Sequence, residues 1–356
     1  MARYASDLPA VTAFVTLGEG STPLIPLPRL GQRIGLPELT GKLEQCNPTG
    51  SHYDRIAAMS LSLALTQGKR GWVALYSPHT FAALTTYGAR AGLPGLVTAT
   101  PHTADHGLPT PPTFGTSMVI VEALPAHAQH ALVETVTAAA EREGLFPCLN
   151  THQYNPEGMR GADTIGYELV DNWYVINDWG APDFVYVPTS QGGLATAIAR
   201  ALLQRDTDTR VVAAQPSDRA PIVDRLGSSP NQRGTKADSH LSAPLDGDLA
   251  AATVAATNGW GTAVTIDQIQ TAQCALAADE GLLPSPAAAT AVAAATLDRQ
   301  TGHLDSRAEV TVILTTASNA VATLSAPLER CPYADLNQYI SRWAEGAIKN
   351  ATTHPC

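Results

Sequence analysis

The sequence predicts an α/β fold of two units, each built on an open, largely parallel sheet. Three observations predict it. Short apolar runs suited to strands alternate with longer Ala/Leu-rich runs of helical period. That alternation occurs twice, with the polar, Gly/Pro-bearing stretch Asn150–Gly161 between the two sets. The chain has 356 residues, about two domains at the usual ~100–200 residues each.

After a Gly/Pro-rich opening, a helical run that starts near Arg55 continues through Ser60–Gln67, and Gly68-Lys69-Arg70-Gly71 breaks it before the strand Trp72–Tyr76. Thr80–Ala91 reads as a helix stopped by Gly92, Gly95–Ala99 and Met118–Ala123 as strands, and His127–Arg142 as a long helix. In the second set Phe184–Pro188, Arg210–Ala214 and Glu309–Leu314 are strands, while Gly193–Leu203, Ile266–Ala278 and Ala287–Leu297 are helices. Gln215–Gly247 is the least periodic stretch and reads as a long surface excursion. The tail Cys331–Cys356 carries an amphipathic piece, Leu336–Ile348, suited to a closing helix or a dimer contact.

Composition narrows the function. The net charge of −10 argues against a nucleic-acid footprint, which needs a basic face. Five scattered cysteines without a CxxC pair argue against a zinc site or a disulfide framework. No apolar run reaches ~18 residues and the first residues lack a signal-peptide pattern, so a cytoplasmic protein with no membrane partner is expected. His102 and His106 sit among Pro, Thr and Gly, where no helix holds both toward one ion, so no metal is expected. Trp173 and Trp179 flank an apolar stretch and read as core or interface residues.

Three junctions rich in small and hydroxyl residues can present backbone N–H groups to an anion at a helix start. They are Asn47-Pro48-Thr49-Gly50-Ser51, Ser77-Pro78-His79-Thr80 and Thr189-Ser190-Gln191-Gly192-Gly193. Singly, each is what any α/β protein needs between a strand and a helix.

Their order, together with other landmarks, resembles the tryptophan-synthase-β-like superfamily of pyridoxal-phosphate enzymes, threonine synthase above all. The landmarks are Glu19-Gly20-Ser21-Thr22-Pro23-Leu24, Lys42-Leu43-Glu44 before Asn47–Ser51, Tyr87–Gly92, Asn155–Gly158 with Gly161–Leu169, and Glu280-Gly281 with Pro286–Ala289. The resemblance implies two α/β domains with an active-site cleft between them and a homodimer. The large domain would be 1–54 with 151–330, the smaller inserted domain 55–150, and the tail 331–356 would pack on the large domain.

Where that family carries its cofactor-binding lysine, this chain reads Ser51-His52-Tyr53-Asp54-Arg55, which puts Tyr53 at the lysine position. A phenol forms no imine with an aldehyde. The family's Asn-bearing loop corresponds to Ser77-Pro78-His79, its phosphate loop to Thr189–Gly193 and its ring-nitrogen loop to Thr315-Thr316-Ala317-Ser318, each altered. Lys42, Lys69, Lys236 and Lys349 offer no obvious replacement amine. The expectation is therefore that no cofactor is used, and that Tyr53, His79 and His52 carry proton transfer, with Cys46 a further lining residue. Asn47, Ser51, Thr80, Thr189, Ser190, Gln191, Gly192, Gly193 and Thr316 would contact a small anionic or amino-acid-derived substrate. A lyase or cyclase of a biosynthetic pathway is the resulting reading. Two alternatives stay open: a non-catalytic binding protein, in which His52, Tyr53 and His79 merely fill space, and an enzyme that holds pyridoxal phosphate without a covalent link.

Overall fold

The fold is taken from a computed structural model, which describes residues 1–101, 115–122, 128–177, 180–226, 245–318 and 329–351. His102, His106, Trp179, Lys236 and most of the expected 215–247 excursion lie outside the described residues. The described part is an α/β fold of two units.

The larger unit comprises Gly20–His52 and Ala162–Asn319. Its strands are β1 (Leu24–Pro26), β2 (Leu39–Lys42), β7 (Phe184–Pro188), β8 (Arg210–Pro216), β9 (Trp260–Val264) and β10 (Val310–Ile313), in the order β1-β2-β10-β7-β8-β9. All neighbours run parallel except β1 against β2. Side chains alternate across the sheet. Val185 and Val187 of β7 therefore enter one apolar cluster, with Ile198 and Leu202, while Tyr186 enters the other, with Val212 and Val292. A parallel sheet buried on both faces needs strands apolar throughout, which is why 184–188 and 210–214 stand out in the sequence. Within the second cluster Tyr186, Trp260 and Thr262 all donate to Asp298 Oδ2, at 2.7, 2.9 and 2.8 Å. The strands β1, β2 and β9 carry Pro, Gly or Thr between few apolar residues, which hides them from a periodicity reading.

The smaller unit comprises Met1–Glu19, Tyr53–Gly161 and the described part of 320–356. Its strands are β3 (Trp72–Leu75), β4 (Gly95–Ala99), β5 (Thr116–Glu122), β6 (Phe146–Pro147) and β11 (Glu329–Pro332), all parallel, in the order β11-β5-β4-β3-β6. Trp72 is fully buried against Gly88 and Gly95. A Cβ at Gly95 would lie 2.1 Å from its ring, and one at Gly88 2.5 Å. The Tyr87–Gly92 landmark is thus in part a packing requirement.

Two boundaries differ from expectation. The tail joins the smaller unit, because β11 extends its sheet beside β5 and the helix Leu336–Ala351 buries Leu336, Ile340 and Ala344 in one cluster with Leu132, Val136 and Ala140. The sequence showed the apolar stripe at spacing four but not its partner. The first nineteen residues also belong there: Val15 N–H donates to Ser62 Oγ at 2.8 Å, and Tyr87 donates to Glu19 Oε2 at 2.9 Å.

Candidate functional site

In the larger unit, three loops leave the carboxyl ends of the adjacent parallel strands β2, β10 and β7. That edge is where open α/β sheets bind ligands. After β7 comes Thr189–Gly193, and Gly193 opens the twelve-residue helix Gly193–Gln204. Gly192 caps it with φ +101°, and a Cβ there would lie 2.8 Å from both Ala250 Cβ and the Asp246 carbonyl oxygen. Glycine alone lets this turn fold back and aim the first N–H groups of the helix outward.

The side chains of the loop serve as its braces. Thr189 donates to the Val187 carbonyl at 2.8 Å, Gln191 Oε1 accepts Leu245 N–H at 3.0 Å, and the Gln191 carbonyl accepts Asp246 N–H at 3.1 Å. Only Ser190 of the five is exposed. Thr189 and Gln191 were expected as ligand contacts; the Thr189 hydroxyl and the Gln191 side-chain oxygen are engaged within the protein.

Beyond β10, the Thr316 hydroxyl pairs with that of Ser285, which also caps the helix Pro286–Gln300 by accepting Ala288 N–H at 3.2 Å. Ser51 bridges Thr316 through the backbone. His52 is buried, with its N–H donating to the Thr315 carbonyl at 3.0 Å and its ring Nδ1 3.4 Å from the same oxygen. Asn47 is bound within its own loop: both its amide protons go to Glu44, at 2.8 Å to the carbonyl and 2.8 Å to Oε2, while its Oδ1 accepts Gly20 N–H at 2.9 Å. It holds the loop and has no donor left for a substrate. Lys42 is likewise a brace, buried and donating at 2.7 Å to both Glu168 Oε2 and the Thr22 carbonyl. Cys46 is exposed.

In the smaller unit, the parallel neighbours β3 and β6 lead into Ser77–Thr80 and Cys148–Asn150. Ser77 caps the helix Pro78–Ala91, and Tyr53 opens the helix Tyr53–Thr66. Thr80, expected as a substrate contact, is buried instead: Ser77 donates to its Oγ1 at 2.7 Å, Asn150 Nδ2 donates to the same atom at 2.6 Å, and its hydroxyl bonds the Tyr53 phenol. Burial pushes the Tyr53 phenol above its ordinary range, while the Thr80 bond pulls the other way. His79 is half-buried, and burial holds its ring below the ordinary histidine value, which keeps it neutral and able to accept a proton. Asn150 and Ser285 escaped the sequence reading. The strand before Asn150 is two residues long, too short to show a period, and Ser285 reads only as a helix cap.

These features give an α/β protein with a glycine turn at a helix start after β7 and a buried hydroxyl pair after the neighbouring strand β10. The chain belongs to the family described as pyridoxal-phosphate dependent enzyme, whose pattern it matches over residues 15–316. It is 31% identical to the threonine synthase of Synechocystis sp. over 313 residues, covering 85% of this chain and 78% of that one. To the threonine synthase of Methanosarcina acetivorans it is 29% identical over 304 residues, covering 82% and 73%. Its fold is similar to that of processed threonine deaminase isoform 2 from Solanum lycopersicum, with a TM-score of 0.66, 17% identity, and 96% and 93% of the two chains covered. Maize serine racemase gives 0.65, with 20% identity and 85% and 91% covered.

Family membership overturns the expectation that no cofactor is used: pyridoxal phosphate is the cofactor by which the family is described. The larger unit fits it. The glycine turn and helix start suit its phosphate, and the Ser285–Thr316 hydroxyl pair suits a pyridine nitrogen. The expectation rested on Tyr53 at the position where the resemblance places a lysine, and on the altered loops.

Proposed function

We propose that this chain is a threonine synthase-like enzyme that holds pyridoxal phosphate through non-covalent contacts and acts as a lyase or cyclase on a small, anionic, amino-acid-derived compound. The observation that carries this reading is Tyr53 at the first position of its helix, directly after the Asn47–His52 run, where the resemblance places a lysine. Gly192 and Gly193 would hold the phosphate through backbone N–H groups, and Thr316, supported by Ser285, would meet the ring nitrogen. Bound there, the cofactor supplies an electron sink for charge developing at the substrate's α-carbon. Tyr53 donates a proton to the departing group of the substrate, and neutral His79 accepts one. Ser190, exposed on the same loop, would meet the substrate's anionic group.

The test is borohydride reduction of protein loaded with pyridoxal phosphate, followed by intact mass. Wild type should bind the cofactor saturably, with a visible band, yet gain no covalent adduct. Tyr53→Lys should gain one. An adduct on wild type would remove the non-covalent reading, and failure to bind saturably would remove the cofactor assignment. Turnover of a panel of β- and γ-substituted amino acids should fall by ~10²–10⁴-fold in Tyr53→Phe, with cofactor affinity unchanged.

A further inference from the structure

The carbonyl of Ser190 and the N–H of Gln191 belong to one planar trans peptide, so they point in opposite directions. Whatever holds that carbonyl therefore aims that N–H. The holder is Gln215, buried near the carboxyl end of β8, the strand that pairs with β7 just before the turn. Its side-chain oxygen accepts Ile222 N–H at 2.9 Å and Val223 N–H at 3.1 Å, both in the first turn of the short helix Pro221–Leu226. Those two donors fix which end of the amide is oxygen. The nitrogen is thereby turned to Ser190, whose carbonyl it meets at 3.5 Å, the longest of the three contacts. The next carbonyl of the turn, that of Gln191, is held by Asp246 N–H at 3.1 Å, which turns the Gly192 N–H away from Asp246 by the same geometry. Two successive peptides thus spend their carbonyls on the protein and present their N–H groups on the opposite side.

Resting on the phosphate site given to this turn above, we propose that Gln215 is a positioning residue of that site: by holding the Ser190 carbonyl it aims the Gln191 N–H at the phosphate, as a third backbone donor beside Gly192 and Gly193. The job needs an amide. A carboxylate has the acceptor for the helix but no donor for the turn, and an ammonium has the donor but no acceptor. An amide does not titrate, so the aim it sets is the same at every pH.

The test reads the Ser190–Gln191 peptide itself in the full chain without cofactor. Ser-Gln occurs once in the sequence, so labelling serine at its carbonyl carbon and glutamine at its nitrogen gives one signal for this peptide. Gln215→Met removes the donor without adding charge, and should move both the Ser190 carbonyl and the Gln191 N–H resonances. Gln215→Glu keeps the acceptor for the helix; both resonances should be displaced at about pH 8 and return toward wild type on acidification, as the protonated carboxyl takes over donation to Ser190. Wild type should show no such titration. Affinity for pyridoxal phosphate should weaken about tenfold in Gln215→Met, while affinity for pyridoxal, which lacks the phosphate, is unchanged. A general loosening of the unit would weaken both ligands alike. Resonances equal to wild type in Gln215→Met would overturn the proposal, as would equal losses for the two ligands. Should Gln215→Met unfold, Gln215→Glu at about pH 8 decides in its place: resonances unmoved from wild type there would overturn it. Inorganic phosphate added to wild type should shift the Gln191 N–H. Its failure to do so would remove the phosphate reading and this proposal together, whereas an unmoved peptide in the variants removes the proposal alone.

Discussion

The two units put polar groups at the carboxyl ends of their strands in opposite ways. In the larger unit several loop side chains are spent on bracing, as Asn47, Thr189 and Gln191 are, beside backbone N–H groups at a helix start, one hydroxyl pair and the exposed Ser190. In the smaller unit the side chains bond one another, with Tyr53 tied through Thr80 to Ser77 and Asn150, and His79 beside them in sequence. Backbone donors hold charge without titrating, whereas phenol and imidazole exchange protons. The first arrangement suits a permanent anion and the second a reaction step, and perturbing each should therefore fail in a different observable.

The largest structural effect should come from the smaller unit's tail. Ile340 is fully buried among Leu132, Val136 and Leu336. Ile340→Ala should cost about 2–5 kcal/mol of that unit's stability. In calorimetry the loss should appear as a lower transition for the smaller unit, with the larger unit's transition and cofactor affinity held. A uniform shift of one transition would show that the two units unfold together. Next is Gly192→Ala, which forces a side chain into a left-handed turn against Ala250 and Asp246 at a cost of about 1–3 kcal/mol. Cofactor affinity should weaken by a comparable factor, measured by titrating the visible band.

How much of this was readable beforehand follows from the same contrast. Strands such as 72–76 and 184–188 were legible because burial on both faces demands unbroken apolar runs, and the helix at 193 because glycines precede an apolar period. The landmark residues were legible as a pattern but not as roles. Lys42, Glu44, Asn47, Glu168 and Glu19 prove to be buried braces, since a one-dimensional motif does not distinguish a residue that touches a ligand from one that holds the loop that does. The tail's place was hidden for a similar reason: an apolar stripe states that a face is covered but not by what. Asn150 was hidden because its role exists only where β6 lies beside β3.

A smaller effect should follow from removing the Thr316 hydroxyl. Thr316→Val leaves Ser285 without its partner and removes the donor assigned to the ring nitrogen, a loss of about 1 kcal/mol. That corresponds to roughly fivefold to tenfold weaker cofactor binding, with a shifted absorption maximum. An unchanged affinity and spectrum would detach the hydroxyl pair from the cofactor and leave it as a helix cap alone.

The smallest effect, and the one that touches the smaller unit's chemistry most directly, lies in the pH dependence set by His79. Burial lowers its folded pKa, so the unfolded chain binds the proton more readily than the folded one. The associated stability is therefore fully present above the ordinary value of ~6.5 and is lost as pH falls through that value toward the lower, folded pKa. His79→Gln keeps a polar side chain at the helix start but cannot titrate. Urea midpoints measured at about pH 8 and about pH 5.5 should fall between the two for wild type, and the fall should be smaller for the variant by the His79 contribution alone. Turnover should show the same signature, since a ring kept neutral down to lower pH extends the acidic limb on which it can accept a proton. If wild type and variant lose stability equally on acidification, His79 does not titrate across this range. The smaller unit's proton traffic would then rest on Tyr53 and the array behind it.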